Sequence, residues 1–223
     1  MNKKQSYITP IGVAEQGCFL QTPDYGNPEI GYGNPRGWWK VNLTMPLAAA
    51  RPLMDMIVSA HEVNYKALVA EFRKNPPALI WGRKPQQPYV NPMPFVLNDD
   101  STVTFEFKSF ASFLDPTTNE FKPLPFKVVD SKGKPIDHVP AIGGGSEIKV
   151  EFAMYPYGWS IVAGASVKLG LVSVMLIKLV ELPEIDPWEG QTVEGGYQAS
   201  NSVRASLAND LPWVAAKPPT GGS

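Results

Sequence analysis

Four segments of the chain bring an aromatic ring and a basic side chain together on outward positions. They are Arg36 with Trp38 and Lys40; Trp81 with Arg83 and Lys84; Lys108 with Phe110; and Lys149 with Tyr155, Tyr157 and Trp159. Cations attract a phosphate backbone and a flat π-surface stacks on an unpaired base, so this pairing suits a single-stranded nucleic acid. Each stacked base contributes about 1–3 kcal/mol, and every base has a π-face, so the mode needs neither catalysis nor sequence readout. Taken singly, each grouping also fits a plainer reading. Trp and Tyr cap cores, and lysine is the usual outer-face residue. Recurrence on four segments carries the nucleic-acid reading.

Catalytic chemistry has no comparable footing. His61 and His138 are far apart, with no serine elbow to complete a triad. His61, beside Glu62 in a helical pattern, is read as a surface residue. Gly143-Gly144-Gly145-Ser146 lacks the Lys-Ser/Thr of a phosphate loop and leads into a strand, so it is read as a tight, flexible turn. Asp99 and Asp100 sit among turn residues and read as solvated. No metal-ligand spacing occurs, and the single Cys18 excludes an internal disulfide or a thiolate zinc cluster. No catalytic residue, metal or cofactor is expected.

Periodicity shows the elements that must hold the aromatic and basic groups. Residues 23–37 carry four glycines, three prolines and two asparagines, the chemistry of a rigid loop. Beyond it Trp39, Val41 and Leu43 alternate with Trp38, Lys40, Asn42 and Thr44, the period of a half-buried strand, with Trp38 and Lys40 outside. Trp38 is open to two roles, a base platform or a cap on the barrel. Ile8, Ile11, Val13, Phe19 and Leu20 predict a strand bent at Gly12 or Gly17. One helix is clear. Pro52 fits its first turn, and Leu53, Met56, Ile57, Ala60, Asn64, Ala67 and Leu68 recur at helical spacing to about Lys74, where Asn75-Pro76-Pro77 stops it.

Residues 75–99 form a long proline-rich connection. In 102–113, Val103, Phe105, Phe107 and Ala111 face inward, and Glu106, Lys108, Phe110 and Ser112 face outward. Turns at 115–119 and 130–134 bracket a strand at 121–129. After the glycine turn, Ile148, Val150, Phe152 and Met154 point in, and Lys149, Glu151, Tyr155 and Tyr157 point out. The last strand, 165–179, is apolar at odd positions, while its even positions change from Ser166 and Lys168 to Val172, Val174 and Leu176. A strand apolar on both faces must be covered on both, by the chain's own helix or by a second subunit. Val172, Val174 and Leu176 are therefore the candidate dimer contacts. The expected fold is all-β with one long internal α-helix: a five- to six-stranded OB-fold barrel over residues 1–182, then a flexible, weakly acidic tail over 183–223.

Composition sets the outer bounds. The 223 residues suffice for one sizeable core, and 23 prolines and 19 glycines favour short elements joined by turns. No apolar run reaches membrane-spanning length, and no signal-peptide h-region follows the N-terminus, so a cytosolic protein is expected. Residues 1–180 carry 18 Lys/Arg against 15 Asp/Glu, and residues 181–223 carry 2 against 6. A body of net charge +3 is too weak a field to hold nucleic acid without clustering.

Ten stretches run in order along the chain: Pro-Asp-Tyr-Gly-Asn at 23–27, Gly-Asn-Pro-Arg-Gly at 33–37, Lys-Val at 40–41, Asn-Pro-Pro at 75–77, Met-Pro-Phe at 93–95, Ala-Ser-Phe at 111–113, Val-Val-Asp-Ser-Lys-Gly-Lys at 128–134, Ile-Gly-Gly-Gly-Ser at 142–146, Gly-Ala-Ser-Val-Lys-Leu at 164–169 and Ser-Val-Met-Leu at 173–176. On these stretches the chain resembles a known family, the single-stranded DNA-binding proteins of T-seven-type, short-tailed bacteriophages (podoviruses). The resemblance implies an OB-fold barrel, a homodimer, and coating of single strands during phage DNA replication and recombination, with strand annealing, in the cytoplasm of the infected bacterial host. By position it implies that Arg36 is the family's loop arginine, Arg83 and Lys84 its basic loop pair, Lys108 its strand lysine, and Tyr157 and Trp159 its aromatic pair near the groove.

One departure stands out. The family closes on a long acidic run ending in an aromatic residue, which docks on the phage DNA polymerase and primase-helicase. Residues 183–223 hold only Glu184, Asp186, Glu189, Glu194 and Asp210 as acids and end Thr-Gly-Gly-Ser. Two readings stay open: a naturally weak tail with Trp188 or Trp213 in the docking role, or a chain that was cut and carries a scar. Against the DNA-binding reading stands an OB-fold protein-interaction scaffold, for which the two-sided apolar strand at 165–180 would be the docking feature. A nuclease would need carboxylates converging in space.

Overall fold

The computed structural model describes residues 5–76, 87–160, 163–180 and 194–195. The strands are β1 (Tyr7–Ile8), β2 (Gly12–Ala14), β3 (Phe19–Asn27), β4 (Tyr32–Pro46), β5 (Phe95–Leu97), β6 (Thr102–Phe110), β7 (Ser112–Leu114), β8 (Phe121–Pro123), β9 (Lys127–Val129), β10 (Glu147–Tyr157) and β11 (Ser166–Lys178). One helix, α1 (Leu47–Lys74), lies between β4 and β5. All belong to the unit Met1–Pro183. The tail expected over 183–223 lies outside the described residues, apart from Glu194 and Gly195.

Pairing runs β10–β2–β4–β6–β11 and back to β10, the circuit of an OB-like barrel. Its β6–β11 seam is thin, a parallel pairing at Leu169 and Phe107 only, so the barrel closes loosely there. The predicted alternation built the core. Val41, Leu43, Val103, Phe105, Phe107, Ile148, Val150, Phe152, Val167 and Leu169 are all buried. Leu53 and Ile57 of α1 pack into the same cluster. Trp39 points inward with its ring stacked on Phe126 at 4.7 Å.

Several expectations need correction. Helix α1 begins at Leu47, not near Pro52, because three alanines favour the extra turn. Pro52 inside the helix deprives the Ala48 carbonyl of its donor, but both residues are exposed and water can serve that carbonyl. His61 is not a surface residue. It follows Leu53 and Ile57 at four-residue spacing, is buried, and lies parallel to the Tyr65 ring at 5.7 Å. The strand expected over 121–129 is two short ones, broken at Leu124-Pro125-Phe126: β8 pairs with β7 and β9 with β11. The connection 75–99 contains β5, which pairs with β6. The glycine turn at 143–146 is pinned: Gly143 N donates to Val180 O at 2.8 Å and Ser146 Oγ accepts from Val180 N at 2.9 Å.

Residues 23–37 are not a loop. β3 and β4 continue through them as a two-stranded arm, with Asp24 opposite Trp38 and Asn27 opposite Tyr32, closed by a short 3-10 turn at Pro28–Ile30. Gly37 turns the chain at φ +62°, where a Cβ would press against Tyr25 and Pro23.

The two-sided apolar strand also has a different explanation. In β11, Glu151 pairs with Ser173 but Phe152 pairs with Leu171, so Val172 is a bulged residue with no partner. The bulge reverses the inward phase. Val167, Leu169 and Leu171 fill the core before it, and Val174 fills the core after it, fully buried. Leu176 packs partly against the same core. Of the three expected dimer contacts, only Val172 is exposed.

Candidate nucleic-acid interface

The antiparallel register of β4 and β6 sets Trp38 opposite Phe110 and Lys40 opposite Lys108, all on the outer face. The two rings stack, with centroids 3.8 Å apart and planes 24° from parallel. The Arg36 guanidinium carbon lies 3.4 Å from the Phe110 centroid. Two groups that close to one centroid must occupy opposite faces of the ring, so Phe110 is sandwiched between Arg36 and Trp38. Arg36 is held from its other side too: its Nε donates to the Ser112 carbonyl at 3.2 Å, while Ser112 Oγ donates to the Arg36 carbonyl at 2.9 Å.

β11 adds a further cation. Leu169 pairs with Phe107 in parallel, which sets the preceding Lys168 across from Glu106 and diagonal to Lys108, and all three line one cavity. Lys168 Nζ lies 4.7 Å from the Trp38 centroid and 5.2 Å from that of Phe110, and Lys108 Nζ lies 5.9 Å from Trp38. Burial pushes the Lys168 ammonium below the usual lysine range, and the nearby charges of Lys108 and Arg36 push it further, against a smaller pull from Glu106. Crowded cations beside a stacked pair of rings form a site that an anion would relieve.

Two carboxylates temper the face. Asp24 on the β3 arm bonds Lys40 Nζ at 2.6 Å, and Glu106 bonds Lys108 Nζ at 2.6 Å. The Lys40 contact, helped by the Gly26 N–H, holds Asp24 below the usual carboxylate range. Alongside runs a trough. A cavity of about 450 Å³, lined by Met93, Pro94, Glu106, Lys108, Tyr157 and Lys168, shares Met93, Pro94 and Glu106 with one of about 460 Å³. The second extends past Lys40 to Gln16, Asn42 and Thr104.

The structure thus brings together Arg36, Trp38, Lys40, Lys108 and Phe110, with Trp38 on the outer face stacked on Phe110. Tyr155 stands opposite Lys168 in the β10–β11 register, and Tyr157 reaches the trough. Lys149 is not part of the cluster. It pairs with Met175, six residues from Tyr155, or about 20 Å along an extended strand. Trp159 sets its ring edge-on to Phe72 of α1 at 5.7 Å, so part of its surface is used by the helix. Arg83 and Lys84, with Trp81, lie outside the described residues. Lys168, Asp24 and Glu106 were not anticipated as site residues. Lys168 sits at an outer position of an alternating strand, and the apolar residues that follow drew attention away from it.

The family model for the single-stranded DNA-binding protein of bacteriophage T7 matches residues 11–179. The single-stranded DNA-binding protein of Escherichia phage T7 is 47% identical over 210 residues, 93% of this chain and 90% of that protein. Its counterpart from Enterobacteria phage T3 is 48% identical over 204 residues, 90% of this chain and 88% of that protein. The crystal structure of gp2.5, a single-stranded DNA-binding protein encoded by bacteriophage T7, superposes with a TM-score of 0.71 at 44% identity, covering 87% of this chain and 99% of that one. With the barrel and the outer faces of β4, β6 and β11 all inside the matched span, the chain belongs to the family of the bacteriophage T7 single-stranded DNA-binding protein.

Proposed function

We propose that this chain binds single-stranded DNA without sequence preference along the outer face of β4, β6 and β11. The observation that carries the reading is the Trp38–Phe110 stack framed by Arg36, Lys40, Lys108 and Lys168. Trp38 offers a base its remaining π-face, and the four cations take phosphates on either side. Titration of oligo-dT tests it. Tryptophan fluorescence should be quenched, and the four cations set a log–log salt slope no steeper than about −3, at roughly 0.7 per phosphate contact on a single strand. Absence of quenching at low salt would overturn the reading.

Family membership supports wider roles for the same face: coating strands during phage replication and recombination, and strand annealing, in the host cytoplasm. A homodimer belongs to this reading too, with Val172 as the exposed member of the expected contacts, and sedimentation tests it. Docking of the phage polymerase and primase-helicase would fall to residues 183–223; co-sedimentation with and without that segment decides it.

A further inference from the structure

We infer that Asp24 and Glu106 are internal competitors for the DNA strand: each occupies a lysine that a phosphate must take over, and together they hold affinity below what the four cations could give. The inference rests on the DNA-binding reading above. Asp24 Oδ2 and Glu106 Oε1 each sit 2.6 Å from a lysine Nζ, taking one of its three N–H donors and answering the charge a phosphate would answer. Asp24 is held there, because its Oδ1 accepts from the Gly26 N–H at 2.9 Å within the β3 arm. Glu106 projects from the same face of β6 as Lys108 and lines both cavities of the trough. Among the described residues no carboxylate is ion-paired with Arg36 or Lys168. The face is therefore divided into two cations held ready and two whose charge is already answered.

The pairs are suited to yielding. Their lysine side chains are 40% and 38% exposed, and ion pairs so open to water are weak enough for a polyanion to displace. A lysine with a protein carboxylate beside it condenses less charge from the strand and contributes less to counterion release. The consequence is a coat that binds through all four cations but lets go more readily than four free ones would.

The test uses the full chain with Asp24→Asn, Glu106→Gln and both together. The amide oxygen introduced by Asp24→Asn keeps an acceptor for the Gly26 N–H, and Glu106→Gln keeps the side-chain shape. Asp55→Asn, an exposed carboxylate on α1, controls for the loss of one distant negative charge. Oligo-dT affinity is measured from about 0.05 to about 0.4 M salt, with thermal melting to confirm that each variant is folded. Each site variant should bind about five-fold tighter at about 0.1 M salt, with a slope steeper by about 0.7, the worth of one further phosphate contact. The double variant should compound the two gains, and Asp55→Asn should give neither. Adding Lys40→Gln to Asp24→Asn should erase the gain. Unchanged or weaker binding in the folded variants, or a gain that survives Lys40→Gln, would overturn the inference. Failure of the unsubstituted chain to bind oligo-dT would instead overturn the DNA-binding reading.

Discussion

Trp38 and Phe110 form one stack, yet they should contribute unequally to DNA binding. Phe110 has Arg36 at 3.4 Å and Trp38 at 3.8 Å on its two faces, which leaves it no surface for a base. Trp38 has a ring on one face only among the described residues, with the Lys168 and Lys108 ammoniums close by. Trp38→Leu should therefore remove a base platform, costing about 1–3 kcal/mol, or roughly 5- to 150-fold in affinity. Phe110→Leu leaves that platform and loses the ordering of the Arg36 side chain, about 0.5–1.5 kcal/mol. Anisotropy of a labelled oligo-dT is the suitable assay, since intrinsic fluorescence changes with Trp38 itself. The decisive measurement is a double-mutant cycle: Arg36→Gln should cost less when Phe110 is already leucine. Equal losses from Trp38→Leu and Phe110→Leu, or strict additivity of Arg36 and Phe110, would refute the sandwich as the reason.

Other substitutions probe the rest of the face and the core. Lys168→Gln should weaken oligo-dT binding about five-fold at about 0.1 M salt and flatten the salt slope by about 0.7, alike for all sequences. Because Lys168 is held below the usual lysine range in the free protein and a phosphate would favour its charged form, binding takes up a proton in that window. Affinity should therefore fall as pH rises toward the ordinary lysine value, and Lys168→Arg should remove much of that fall. Val174→Glu places an unpaired charge in the barrel core and should destabilise by about 3 kcal/mol or more in thermal or urea unfolding, whereas Val172→Glu on the exposed bulge should fold normally. Lys149→Glu, about 20 Å from Tyr155 and beyond the roughly 10 Å Debye length of 0.1 M salt, should change affinity less than about two-fold.

Much of the barrel was legible because its strands obey period two. Val103, Phe105 and Phe107, or Ile148, Val150 and Phe152, announce a buried face without further information. The pairing of Trp38 with Phe110 was not legible in that way. Each residue was placed outward from its own strand, but register is set by contacts between strands about 70 residues apart in sequence, so the stack itself could not be seen. The arm at 23–37 was missed for a different reason. Glycine and proline report permitted backbone angles, and the φ values near +60° to +80° at Gly26, Gly31 and Gly37 serve an irregular hairpin as well as a loop. His61 was misplaced because its type suggested a surface, while its spacing from Leu53 and Ile57 pointed to the buried stripe.

Val172 shows how one inserted residue can redirect a functional argument. Read as an unbroken alternation, β11 has an apolar outer face from 172 onward, and that face asks for a second subunit. With Val172 bulged, Val174 belongs to the core, and Val172 is left as the exposed member of the three. The bulge does not disturb the strand before it, where Lys168 lies in register with Tyr155 and across from Glu106, diagonal to Lys108. The first half of β11 is thereby left to present a cation to the Trp38–Phe110 stack, while the second half fills the barrel. The strand that suggested a protein interface therefore contributes to the proposed nucleic-acid face, through a residue that lies four positions before the bulge.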